Sequence, residues 1–157
     1  MIDVAAIVAD FAKVAALAGI SIPASDIDVV TQWEPHSPPC SLPRGKLAVY
    51  VFMFRERCLK VGKAGPKSPA RYCSQHYTAN GAPSTLAKSI IKSQASMGLN
   101  GLDESNVKAW ICQHTDRVNF HLPERYGIFV AGLLEAFIQC RLKPEFEGFA
   151  SQKKFEV

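Results

Sequence analysis

Leu47 to Phe54 is an unbroken run of eight apolar, β-branched and aromatic residues. A run of this length predicts a β-strand covered on both faces, which obliges the rest of the chain to supply two layers. Arg55 to Arg57 reads as a polar turn and Cys58 to Gly62 as the returning strand of a hairpin. If the turn pairs Phe54 with Cys58, Phe52 falls opposite Lys60 and Tyr50 opposite Gly62 on one face. Tyr50 and Lys60 then point the same way, either as a core tyrosine beside a snorkelling lysine or as parts of a site.

The 157 residues, 48% hydrophobic and 20% charged, suit one globular domain with a core of its own. No apolar run approaches the roughly 18 residues that a membrane span needs. Asp3 and Asp10 stand where a signal peptide would carry positive charge, so Ile2 to Ala18 is expected to be an ordinary amphipathic helix and the protein cytoplasmic. The following loop holds Pro23, Pro35, Pro38, Pro39 and Pro43, too many to continue a regular element. The reading therefore divides the chain into an N-terminal helix and proline-rich loop (1–43), a main domain (44–150) and a short tail (151–157).

Beyond the hairpin, Pro69 introduces a short helix over Ala70 to Tyr77, and Ser84 is placed to cap a helix that ends near Gly98. Val107 to Gln113 reads as a third strand. Pro123 is expected to open a long helix running through Leu142 and stopping before Pro144.

The charge is unevenly distributed. Between Arg44 and Lys92, ten basic residues (Arg44, Lys46, Arg55, Arg57, Lys60, Lys63, Lys67, Arg71, Lys88 and Lys92) face Glu56 alone, a net +9, while the remainder of the chain carries −5. Such asymmetry fits either a polyanion partner, most often nucleic acid, or a solvated basic face. Five cysteines without a C-x-x-C pair (Cys40, Cys58, Cys73, Cys112, Cys140) argue against a disulfide framework or a standard zinc site and are expected to be mostly buried thiols. Cys73, His76, Cys112 and His114 form a four-ligand set only on paper. His36, His114 and His121 are expected in loops or at the surface, and Trp33 and Trp110 in the core or an interface.

Ala48-Val49-Tyr50, followed ten residues after Tyr50 by Lys60-Val61-Gly62 and then Lys63, with Arg71 in a helix, Glu135 in a distant helix and the closing Leu142 to Gly148, resembles the GIY-YIG nuclease superfamily. The resemblance covers about Lys46 to Gly148. It implies an α/β domain, a small three-stranded antiparallel sheet flanked by helices, here with an N-terminal helical extension, that hydrolyses DNA phosphodiesters with one divalent cation, Mg²⁺ or Mn²⁺. Carried over by position, Tyr50 matches the tyrosine of the first triplet, Lys63 the basic residue after the second, Arg71 the helix arginine and Glu135 the metal-binding glutamate. His76 or Tyr77 falls near a position that often bears a histidine or tyrosine. Two departures stand out: Lys60 replaces the tyrosine of the second triplet, and Glu147 the asparagine usual near the domain's end.

These residue types suit that chemistry. Glu135 sits in the apolar stretch Ile128 to Ile138 and needs a partner, either a base such as Arg71 or a hard cation. Arg71 offers a planar fork for phosphate. Tyr50 requires nearby positive charge, from Lys60, Lys63 or a metal, to accept a proton at neutral pH. Lys60, Lys63, Lys67, Arg71, Lys88 and Lys92 are the candidate DNA contacts. The alternative expectation is a DNA-binding module that keeps the fold and cuts poorly or not at all.

Overall fold

The computed structural model describes residues 2–80 and 82–146. It is an α/β fold built on one four-stranded antiparallel sheet. In chain order the elements are α1 (Val4–Leu17), β1 (Asp28–Gln32), β2 (Lys46–Phe54), β3 (Arg57–Ala64), α2 (Pro69–Cys73), α3 (Leu86–Ser93), α4 (Val107–His114), β4 (Asp116–Pro123) and α5 (Gly127–Leu142). The strands lie in the order β1-β4-β2-β3.

The hairpin forms as its sequence predicts at the positions that matter, with Tyr50 opposite Gly62 and Phe52 opposite Lys60. A bulge between Phe52 and Met53 moves the turn end, so that Met53 faces Cys58 and Phe54 faces Arg57. Residues of β2 are buried on both sides because helices cover both faces of the sheet.

On one face, Val49, Val51 and Met53 join Val118, Phe120 and Leu122 beneath α1 and α5. Helix α1 is capped by Asp3, whose carboxylate accepts from the Ala6 N–H at 2.9 Å, and it buries Ile7, Val8, Phe11 and Ala15. Phe11 meets Phe137 of α5 with ring centroids 5.9 Å apart, and Arg141 donates to Asp10 at 2.6 Å. The N-terminal helix therefore shares the core of the main sheet.

Several expectations are corrected. The sheet has four strands rather than three, because Asp28 to Gln32, inside the supposed proline-rich loop, pairs with β4; the prolines flank this stretch and do not enter it. Val107 to His114 is helix α4 and not a strand: Val107 and Ile111, four residues apart, are the buried pair, so the helical period outweighed the β-branched composition. The strand expected there is Asp116 to Pro123, in which Arg117, Asn119 and His121 alternate with apolar residues. Pro123 closes this strand, and the long helix begins only at Gly127 after a single 3₁₀ turn, ending at Leu142 with Lys143 in the left-handed conformation. Thr85 rather than Ser84 caps α3, accepting from the Lys88 N–H at 3.1 Å. Only Cys58 is a buried thiol; Cys40 and Cys140 are exposed. Trp33 is half exposed, which removes the core and leaves an interface as its expected place. Glu147 and the tail over 151–157 lie outside the described residues.

Candidate active site

The second face of the sheet is different in kind. Tyr50 and Phe52 of β2 project into a layer of aromatic and polar side chains covered by α2, α3, α4 and the 3₁₀ turn Gln75–Tyr77. Tyr50 is fully buried and lies across Gly62, the one residue on β3 with no side chain to obstruct it. A Cβ at Gly62 would stand 2.6 Å from the Tyr50 hydroxyl oxygen.

That hydroxyl lies 2.6 Å from Nε2 of His76. The Leu86 N–H donates to the other ring nitrogen, Nδ1, at 3.3 Å, so the proton of the neutral imidazole resides on Nε2 and is donated to Tyr50. His76 is kept neutral: burial first, then the charges of Lys60, Arg117 and Arg71, lower it to about 3. Burial raises the Tyr50 hydroxyl above its ordinary value, while the Arg71 guanidinium, by charge and hydrogen bonding, and then Arg117 pull it down and the Glu135 carboxylate pushes it up.

Two further tyrosines on this face pair with histidines, and one of them, Tyr77, is wired in the opposite sense. His36 donates from Nδ1 to the Thr115 carbonyl at 2.7 Å, which leaves Nε2 to accept from the Tyr77 hydroxyl at 2.9 Å. Tyr72 pairs with Nε2 of His121 at 2.8 Å. Of these two, Tyr77 must spend its proton on an acceptor. Tyr50 instead receives a hydrogen bond, the arrangement that favours a phenolate.

The other sequence-predicted residues are placed as follows. Arg71 is exposed on α2 and acts on the Tyr50 hydroxyl. Lys63 projects from the opposite face of β3 and forms a close ion pair with Glu135 of α5, which answers the question of that carboxylate's partner. Tyr50 and Glu135 thus lie on opposite faces of the sheet. Lys60 departs from the surface role expected of it: it is 4% exposed, and its Nζ donates to the Ser84 hydroxyl and the Phe146 carbonyl, both at 3.2 Å. A buried lysine on that face cannot serve as an outward phosphate contact, but it does hold positive charge near His76. Lys67, Lys88 and Lys92 are exposed, the last two one turn apart on α3.

His36 and His121, expected at the surface, are buried, because each has a tyrosine hydroxyl within hydrogen-bond reach; His114 is exposed as expected. No group of three or more His, Cys, Asp or Glu side chains assembles among the described residues, so the set Cys73, His76, Cys112 and His114 does not come together. The residue that sequence reasoning missed is Arg117. It is fully buried beneath Tyr50, Phe52, Tyr72 and Tyr77, its guanidinium carbon 4.8–5.8 Å from the four ring centroids. The signal was available in part: Arg117, Asn119 and His121 recur at strand spacing and share this face.

No family model, curated protein or solved structure matches this chain. Among the described residues, no helix is long and apolar enough to cross a membrane.

Proposed function

We propose that this protein is a divalent-metal-dependent endonuclease of the GIY-YIG type acting on DNA in the cytoplasm. The observation that carries the reading is Tyr50: a buried hydroxyl that receives a hydrogen bond from a neutral histidine at 2.6 Å and feels the positive charge of Arg71. Burial works against ionisation of this hydroxyl, while the hydrogen bond from His76 and the charge of Arg71 work for it; as a phenolate, Tyr50 would take a proton from water, and a general base of this kind contributes roughly 10² to 10⁴ in rate. Arg71 is exposed next to it and suited to a phosphate oxygen. The basic segment from Arg44 to Lys92 supplies the attraction for the DNA backbone, with Lys67, Arg71, Lys88 and Lys92 exposed.

The donor set fits a hard cation in a limited way. Glu135 is one partly exposed carboxylate, and Mg²⁺ commonly takes one or two such groups while retaining waters and substrate phosphate. Glu135 would hold the ion, and Lys63 would then be released to the DNA. Mg²⁺ or Mn²⁺ bound there supplies a Lewis acid at the scissile phosphate.

The test is the nicking of supercoiled plasmid with Mg²⁺ or Mn²⁺ and with EDTA. Wild-type protein nicks only with the metal, Tyr50→Phe loses activity by about 10² or more, and Glu135→Ala is inactive while it binds DNA at low salt. A second reading, a DNA-binding module without cleavage, is favoured by the ion pair between Lys63 and Glu135, which occupies the metal-binding carboxylate. Wild-type protein that binds DNA at low salt yet leaves supercoiled, branched and single-stranded DNA intact with both metals supports that reading.

A further inference from the structure

Arg117 is the largest fully buried side chain of the described residues, and each of its hydrogen bonds goes to a neutral group. Nε donates to the Asn119 side-chain carbonyl at 2.9 Å, Nη1 to the Tyr77 hydroxyl at 3.1 Å and Nη2 to the Tyr72 carbonyl at 2.6 Å. Four aromatic faces surround it. Burying a charge without a counter-ion is costly, and simple packing would be served better by an apolar residue of similar volume. The arginine must therefore be judged by what its fork holds.

One arm of that fork ends on α2, at Tyr72, and the other on the 3₁₀ turn that follows, at Tyr77. Tyr72 is the immediate neighbour of Arg71, and Tyr77 is the immediate neighbour of His76. Arg117 itself stands on β4 opposite Phe52 of β2, two residues from Tyr50. One rigid planar group thus ties the two residues adjoining Arg71 and His76 to the sheet that carries Tyr50. The Tyr77 arm is fixed in direction along its whole length: Arg117 donates to Tyr77, Tyr77 to His36, and His36 to the Thr115 carbonyl. We infer that Arg117 is a positioning residue, a buried clamp that fixes residues 71–77 on the sheet so that His76 presents its Nε2 proton, and Arg71 its guanidinium, to the Tyr50 hydroxyl.

The consequence for catalysis rests on the proposed role of Tyr50; the geometry does not. Three variants separate clamp from charge. Arg117→Lys keeps the cation but replaces the two-armed fork with one ammonium, Arg117→Gln keeps donors without charge, and Arg117→Met keeps volume without either. The first readout is the ring ¹⁵N spectrum of His76, assigned with His76→Gln, which reports whether the Nε2–H form is fixed. Wild type shows that form alone; Arg117→Lys and Arg117→Met, compared under conditions where circular dichroism shows them folded, show mixed forms. A folded Arg117→Lys protein that retains the single Nε2–H form overturns the clamp and leaves only a charge effect.

If neither Arg117→Lys nor Arg117→Met folds, Arg117→Gln is measured, and a fixed Nε2–H form in that variant likewise overturns the inference. The second readout is nicking: in a folded Arg117→Lys variant, kcat falls about tenfold or more with KM for plasmid unchanged, since a fully buried side chain touches no DNA. An unchanged kcat overturns the catalytic consequence. Should the wild type prove inactive, the proposed function fails while the histidine spectrum still decides the clamp.

Discussion

Replacing Gly62 by alanine isolates the packing of the candidate base in a single methyl group. The backbone there is extended, so alanine introduces no conformational strain of its own. The new Cβ would lie 2.6, 2.7 and 2.8 Å from the hydroxyl oxygen, Cζ and Cε2 of Tyr50, where ordinary contact begins at 3.4 Å. The ring must retreat by roughly 0.6–0.8 Å, the difference between those distances. It has little room: Tyr50 is fully buried, with the Phe52, Tyr72 and His76 rings packed around it. With three contacts under 3.0 Å, overpacking here costs about 2–3 kcal/mol, the upper part of the usual range, of which the lower entropy of the unfolded alanine chain returns about 1 kcal/mol, leaving about 1–2 kcal/mol. For a chain of this size, about 2–4 °C in Tm per kcal/mol gives an expected fall of roughly 2–8 °C. The displacement disturbs the 2.6 Å hydrogen bond from His76, so nicking falls by about 10² or more. Differential scanning calorimetry and the plasmid assay measure the two effects separately. Gly65→Ala is the control, since its Cβ meets only the Leu47 Cδ2 methyl, at 3.2 Å, a flexible tip able to yield. A Gly62→Ala protein with wild-type Tm refutes the packing argument, and one with lowered Tm but wild-type nicking refutes the role given to the Tyr50 hydroxyl.

Three other outcomes are expected. Duplex DNA binding weakens by roughly 10³ between 50 and 200 mM salt if about six phosphates are neutralised, and filter binding with a flat salt response counts against the nucleic-acid reading. Glu135→Ala changes stability by no more than about 1 kcal/mol in urea denaturation, because its Lys63 partner is one-third exposed and can rehydrate. His76, lowered to about 3, and His36 and His121, also lowered by burial, stay neutral in the fold while an unfolded histidine titrates near 6.5. Stability from these groups is complete above about pH 6.5 and declines as pH falls below it, at up to about 1.4 kcal/mol per pH unit for each histidine, a loss that for His76 continues toward pH 3. Urea midpoints followed from pH 7 to 5 show this slope, and His76→Gln flattens it; an unchanged slope removes His76 from the account.

Much of the architecture was legible because local and global preferences agreed. The run Leu47 to Phe54 and its returning partner had one register that put Tyr50 against Gly62, and the burial of both faces enforces it. The end of α5 before Pro144 followed from backbone sterics alone. What was not legible depended on partners distant in sequence. A five-residue strand between prolines is decided by the edge of β4 that receives it, and nothing within Asp28 to Gln32 announces that edge. His36 and Tyr77 are 41 residues apart and His121 and Tyr72 are 49 apart, so the histidines looked like surface residues until their tyrosines were in place. Arg117 was hidden for the same reason: its counterweights are aromatic faces and neutral acceptors, which carry no charge to be matched along the chain.

Glu145 and Phe146, just after α5, donate backbone hydrogen bonds to the Cys58 and Leu59 carbonyls of the edge strand β3 at 3.0 and 2.9 Å. Exposed rims of long strands are templates on which other chains polymerise. By laying its own backbone there, this protein occupies two of the positions an intruding strand would claim. The opposite rim, β1, is only five residues long, with prolines on both sides of it in sequence, which gives an incoming strand little to extend. Truncating the chain before Glu145 should therefore show its effect first as turbidity at high protein concentration, before any loss of secondary structure in dilute solution.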